Sequence, residues 1–155
     1  YVKKWIISIV LLLLIVMTGC NSVKAKNIPL NQILEEIKVV AEFDNAKTLD
    51  LTNQNVAAEF GIDVTSISEG YVYYSENANA DEVIILRAKS KEKLEEVEKA
   101  VAGELNGKTN AWKNNKIENE KLKNHIMRTI GDCVLLAVGD RAEEINNIFS
   151  ELKEN

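Results

Sequence analysis

The sequence predicts an α+β fold: one domain on a four-stranded, mainly antiparallel sheet, with an N-terminal helix and the helices packed on one face. Three observations predict it. Apolar residues recur at helical spacing in three separate stretches, and two short aliphatic runs, Glu82–Ala88 and Cys133–Val138, are bounded by turn residues. Strand–strand–helix order then occurs twice in succession, which is the layout of helices stacked on an antiparallel sheet. The two β-β-α units match in layout and not in residues, and the strand order stays open.

The first helix begins near Ile28, with Leu30, Ile33, Leu34, Ile37, Val40 and Ala41 on one stripe. Pro29 suits its first turn, where the missing N–H would have no partner. A polar stretch, Asp44 to Asn55, leads to a short helix over Val56–Phe60 that Gly61 stops. Its first part, Asp44 to Asp50, has a superficial likeness to a calcium loop. It has no Gly at the sixth position and carries Asn55 rather than Glu at the twelfth, which excludes that reading.

Tyr71-Val72-Tyr73-Tyr74 reads as a strand and Ser75 to Asp81 as a turn. Glu82 to Ala88 carries Val-Ile-Ile-Leu, apolar on both faces, as in a central strand. Ser90 can cap the next helix, whose stripe is Leu94, Val97, Val101 and Leu105. Asn106-Gly107 can end it, or Trp112 can extend it past a tolerated glycine. Residues 106–124, rich in Asn and Lys, read as exposed connection with a marginal helix near Glu118–Lys123. Ile126–Ile130 and Cys133–Val138 flank Gly131-Asp132, a two-residue hairpin loop in which Gly131 can take positive φ. Asp140 to Glu143 is close to a capping box, and Ile145, Ile148, Phe149 and Leu152 form the closing stripe.

Ahead of the domain, Lys3-Lys4 precede an apolar run from Trp5 to Met17, which is followed by Met17-Thr18-Gly19-Cys20. About 13 residues are too few to span a bilayer, which takes about 20, so residues 1–19 read as a signal peptide. The small residues before Cys20 resemble the lipobox of bacterial lipoproteins, with cleavage before Cys20 and diacylglycerol on its thiol. Two acyl chains suffice for lasting attachment. The expected partner is therefore the membrane, through lipid on Cys20, and the expected place is the extracytoplasmic face. Residues 20–27 read as lipidated cysteine plus polar tether, and 28–155 as the domain.

Residues 20–155 carry 17 Lys+Arg against 24 Asp+Glu, a formal charge of −7. Nothing in that balance favours nucleic acid. Lys24 and Lys26, just after the anchor, are placed to meet head-group phosphates or to serve as plain tether. Cys133 is the only other cysteine, so with Cys20 acylated no internal disulfide forms; in Cys-Val-Leu-Leu-Ala-Val it reads as a small core residue.

No catalytic residue, metal site or cofactor is expected. His125 is the only histidine and has no ligand spacing around it, so it reads as surface or packing. Asp81 and Glu82 are adjacent at the head of a strand, where alternation sends them to opposite faces and disfavours a shared acid–base pair. They read as hairpin residues, with a binding role for Asp81 as the alternative. Glu92, Glu95, Glu96 and Glu98 read as the solvated face of their helix. Tyr71 and Tyr73 share a strand face and form the candidate contact surface if that face is open; otherwise they pack under the N-terminal helix.

Several pieces carry a family resemblance: Phe60-Gly61-Ile62-Asp63, Tyr71-Val72-Tyr73-Tyr74, and Asn79-Ala80-Asp81-Glu82-Val83. With Ile130-Gly131-Asp132-Cys133-Val134-Leu135-Leu136 and the helix after Asp140, residues 30–152 resemble a family of small Gram-positive lipoproteins classed as domain of unknown function 4358. The chain departs from that pattern at Cys133, where an aromatic is expected, and at Phe60, where Tyr is commoner. The resemblance implies a single domain and an extracytoplasmic location, and no assigned activity. The functional expectation is a non-catalytic, membrane-anchored module that binds a protein or cell-wall component. A small-ligand binder serving a transporter is the first alternative, and an enzyme the second.

Overall fold

The structure is a computed structural model that describes residues 23–155. The signal segment read at 1–19 and Cys20 lie outside the described residues. The elements run α1 (Leu30–Ala41), β1 (Ala46–Asp50), α2 (Gln54–Glu59), β2 (Ile67–Ser75), β3 (Glu82–Ala88), α3 (Lys91–Trp112), α4 (Lys116–Lys123), β4 (Ile126–Ile130), β5 (Cys133–Val138) and α5 (Ala142–Phe149). The class is α+β, as expected. The sheet is antiparallel throughout and has five strands rather than four, in the order β1-β2-β3-β5-β4.

The added strand is β1, within the stretch read as polar connection. It pairs with β2 from Ala46↔Ser75 to Asp50↔Tyr71 and forms the sheet edge. An edge strand has one neighbour and needs little apolar surface, and Lys47, Thr48 and Asp50 are exposed. Charged edges of this kind also discourage pairing with other chains.

The helices cover both faces, not one. Val83, Ile85, Leu135 and Ala137 pack with α1 and α5, while Val72, Ile84, Leu86, Leu136 and Val138 pack with α2, α3 and α4. Every residue of β3 and β5 is buried. A strand that is apolar at consecutive positions loses solvation on both faces unless both are covered, and burial stabilises by about 25 cal/mol per Å².

The consequence reaches Tyr71 and Tyr73. Their face lies against α1, and Tyr73 is 8 % exposed, stacked on Phe43 with centroids 5.2 Å apart and Lys38 Nζ 5.9 Å from its ring centre. Tyr71 is half-buried against the same core. The second reading of the pair, packing under the N-terminal helix, is the one observed.

Helix ends depart from local expectation where tertiary contacts supply the partner. Pro29 occupies the N-cap position of α1, and the Leu30 N–H donates to Glu69 Oε2 of β2 at 2.6 Å. A carboxylate at a helix N-terminus is favoured by the free N–H groups and the dipole. Ser90 and Arg141 stand at the N-caps of α3 and α5 without a side-chain cap, so neither Ser90 nor the Asp140–Glu143 box does the capping expected of it. Gly103 and Gly107 lie inside α3, which runs on to Trp112, packed against the core. Asn53 and Asn115 cap α2 and α4 through their side-chain oxygens.

The segment read as tether is docked from Lys24 onward. Lys26 N–H donates to Leu152 O at 2.7 Å, and Ala25 bridges Lys153. Gly131, at φ +57° in the β4–β5 turn, lies so close that a Cβ would stand 2.4 Å from Ala25 N. Gly131→Ala therefore meets both left-handed strain and a backbone collision. It is expected to cost about 1–2 kcal/mol, read as a lower midpoint in urea.

Candidate functional site

Two of the three buried charged side chains among the described residues, Glu82 and Glu118, gather at one end of the sheet, where β2 turns into β3 and β5 runs into Gly139-Asp140. The turn is held by its own polar groups. Ser75 Oγ donates to Asp44 O at 2.7 Å and accepts from Asn77 N–H and Asn79 Nδ2, while Asp81 N–H donates to Asn79 Oδ1 at 3.1 Å. The Ala80 N–H points away from the turn, to Glu118 Oε2 of α4 at 2.7 Å.

Glu118 is buried, and its helix begins at the Asn115 cap, whose Oδ1 accepts from the Ile117 and Glu118 N–H groups. One turn on, Lys121 Nζ lies 2.9 Å from Asp81 Oδ1 and 3.3 Å from Glu118 Oε2. Burial pulls the Lys121 ammonium down, yet Asp81 and Glu118 outweigh it and the net direction is upward. Lys121 thus closes a bridge between the β2–β3 turn and α4.

Glu82, next along β3, turns to the opposite face as alternation requires. It is 4 % exposed, with Oε2 3.2 Å from Lys108 Nζ of α3, and its Oε1 has no hydrogen-bond partner. Burial pushes its carboxyl up to about 7; Lys108 opposes that shift and the nearby Glu104 adds to it. Asp81 and Glu82 therefore make two separate lysine pairs and no shared proton site.

Beside the Asp81–Lys121 bridge lies an open cleft of about 630 Å³, lined by Lys116, Ile117, Glu120, Lys121, Asn124, Gly139 and Asp140. Ile117 is 72 % exposed on its rim. Small-molecule sites run to about 300–1,000 Å³ but are usually enclosed and mostly apolar. This one is a shallow groove with cations, an acid pair and one exposed aliphatic side chain.

Residues 41–139 match the family described as "Domain of unknown function (DUF4358)". The chain belongs to that family. The matched span runs from the end of α1 through β5, so it contains the whole sheet and every charged residue of the cluster just described except Asp140. No curated protein and no solved structure matches the chain.

The other residues singled out in the sequence lie apart from this end or take structural roles. His125 follows α4, with Nδ1 2.6 Å from Leu122 O. A carbonyl only accepts, so Nδ1 carries the proton, and the ring ties the helix end to β4. Among the described residues no three His, Cys, Asp or Glu side chains are grouped to hold a metal ion, and no helix is long and apolar enough to cross a membrane.

Cys133 is buried at the far end of β5, and burial is the first cause that pushes its thiol up to about 12. Its thiolate is scarce at neutral pH, so a maleimide at pH 8 is expected to leave the folded protein unmodified at Cys133 and to label it once urea unfolds the chain. Mass spectrometry reads both results.

The candidate cluster escaped sequence reading except at Asp81. Asp81 and Lys121 are 40 positions apart, and Glu118 and Lys121 fall in the marginal helix read near Glu118–Lys123, which forms as α4 but whose buried face was not foreseen. The available signal was the i, i+3 pair Glu118–Lys121 beside Leu122, a short helix with one buried face.

Proposed function

We propose that this protein is a lipid-anchored, extracytoplasmic binding module without catalytic activity, and that its contact surface is the cleft beside Asp81 and Lys121. The observation that carries the proposal is the combination of exposed Ile117 with a rigid, internally paired set of charges around it. Both sheet faces are covered by helices, so Tyr71 and Tyr73 offer no open surface and the exposed groups lie at this end of the sheet. Asp81, Glu118 and Lys121 hold one another, an arrangement suited to shaping a surface. The partner is a protein or a cell-wall component that offers an apolar group to Ile117 and polar groups to Lys116, Glu120 and Asp140.

In-cell crosslinking with mass spectrometry tests this on the native chain, a Cys20→Ala form and an Ile117→Asp form. One reproducible partner is expected with the native chain, lost with Cys20→Ala and reduced with Ile117→Asp. Absence of any partner in all three sinks the proposal. The cleft volume favours a second reading, a small-ligand binder serving a transporter. That reading predicts a melting temperature that rises with ligand concentration.

A further inference from the structure

The lipid-anchor reading gives the domain an address; the docked N-terminal segment gives it an orientation. The chain enters the domain at the end opposite the Asp81 cleft. Val23 and Lys24 lie beside Gly131-Asp132 and the start of α3, where they line a shallow groove with Ser90, Lys91 and Leu94. Lys24 O accepts from Glu154 N–H at 3.4 Å, Lys26 N–H binds Leu152 O, and Arg87 Nη2 donates to Ile28 O at 2.8 Å. The segment from Lys24 to Ile28 and the residues Leu152–Glu154 are thus paired beside the β4–β5 turn, and the segment does not swing freely.

Length then decides how far this end stands from a bilayer. Between Cys20 and docked Ala25 there are five Cα–Cα steps, at most about 18 Å when fully extended. The head-group layer takes roughly 5–8 Å of that. The entry end is therefore held within about 13 Å of the lipid surface, whereas the cleft lies beyond it by the length of β3, roughly 20 Å.

The charge at the entry end fits that neighbour. Lys24, Lys89, Lys91 and Lys153 are exposed there, and among the described residues none of the four has an ion-pair partner. They outnumber the acids beside them: Glu92 and Glu154 are exposed at the same end, and Asp132 there is paired with Arg87. Each lysine near an anionic membrane contributes about 1 kcal/mol, within a Debye length of about 10 Å. Val23, 51 % exposed, adds an apolar side chain at the same place.

We infer that the end of the domain bearing Lys24, Lys89, Lys91 and Lys153 is a membrane-docking surface for anionic lipid, which seats the domain upright and turns the Asp81–Lys121 cleft outward. This inference rests on lipidation at Cys20. An acidic domain on a slack tether would tumble above an anionic bilayer; one lashed at its basic end does not.

The test uses the chain as a lipoprotein-processing bacterium produces it, returned to vesicles of phosphatidylglycerol and phosphatidylcholine, with a nitroxide on the lipid head group as a short-range quencher. Asn27→Cys and Ala78→Cys each carry a fluorophore, at the entry end and at the β2–β3 turn, and both positions are exposed. Quenching is expected to be severalfold stronger at position 27 than at 78. That preference is expected to shrink in phosphatidylcholine alone, and in a variant with all four lysines changed to glutamine. Equal quenching at both positions, in protein that stays on the vesicles, overturns the docking surface and leaves the lipid anchor standing. A preference unchanged by the glutamine variant overturns the role of the lysines. Protein that does not stay on the vesicles overturns lipidation at Cys20, and the docking surface with it.

Discussion

Replacing Arg87 with methionine is expected to lower the stability of the domain by about 3 kcal/mol and to release the N-terminal segment from it. Arg87 stands at the end of β3, 8 % exposed. Its Nη1 donates to Asp132 Oδ1 at 3.2 Å, its Nη2 to Ile28 O at 2.8 Å and Lys26 O at 3.4 Å, and its Nε lies 4.0 Å from Glu69 Oε1. Glu69 in turn caps α1 at Leu30. One guanidinium therefore joins the entry segment, the start of the first helix and the β4–β5 turn, and its planar fork suits that set of acceptors.

Methionine keeps much of the volume and removes every donor. Breaking a buried pair costs about 3–5 kcal/mol, and the low end applies here because solvent reaches part of Glu69 and Asp132. For a domain of this size that loss is roughly a 10 °C fall in Tm. Hydrogen exchange at the Lys26 amide, now bonded to Leu152 O, should quicken by more than the global loss explains. A Tm within a degree or two of the native value would show that the segment docks without Arg87.

The second large effect is a pH dependence centred on Glu82. Burial raises its carboxyl from the ordinary 4.5 to about 7 in the folded protein. Below pH 4.5 the group is protonated in both folded and unfolded chains and contributes no difference. Between 4.5 and 7 the unfolded chain loses the proton while the folded chain keeps it. Stability then falls by about 1.4 kcal/mol per pH unit, reaches a deficit of about 3 kcal/mol near pH 7, and stays level above it.

Glu82→Gln mimics the protonated side chain at every pH, and groups common to both proteins cancel in the difference. Urea unfolding at pH 5 and pH 8 should therefore show the variant gaining about 3 kcal/mol on the native protein across that interval. Parallel stability profiles would mean that Lys108 holds Glu82 charged after all, and that its unpaired Oε1 meets a partner in solution.

Both effects arise at residues whose importance was unreadable along the chain. Glu82 and Arg87 open and close an apolar run and look like ordinary strand ends. What sets them apart is that β3 lies mid-sheet with helices on both sides, so the ends of the strand are buried as well as its middle. The Val-Ile-Ile-Leu run already implied burial on two faces, and a one-sided helix layer was inconsistent with it. Carrying that implication through would have covered Tyr71 and Tyr73 and withdrawn them as an open surface.

The sequence by itself determined the α+β class, the family, the stripes of α1, α3 and α5, the β4–β5 hairpin around Gly131, and β3 as a central strand. The family came from the order of motifs along the chain; the rest is written locally, in a period of 3.6, an unbroken aliphatic run or a residue free to take positive φ. The tertiary structure alone decided β1, the second helix layer, the docking of Lys24–Ile28 and the meeting of Asp81 with Lys121. A polar edge strand forms because β2 offers it a row of hydrogen bonds, and Asp81 meets Lys121 because a turn and a helix 40 residues on are packed together. Such contacts depend on loop closure and on the burial that closure allows, and neither leaves a periodic mark in the chain.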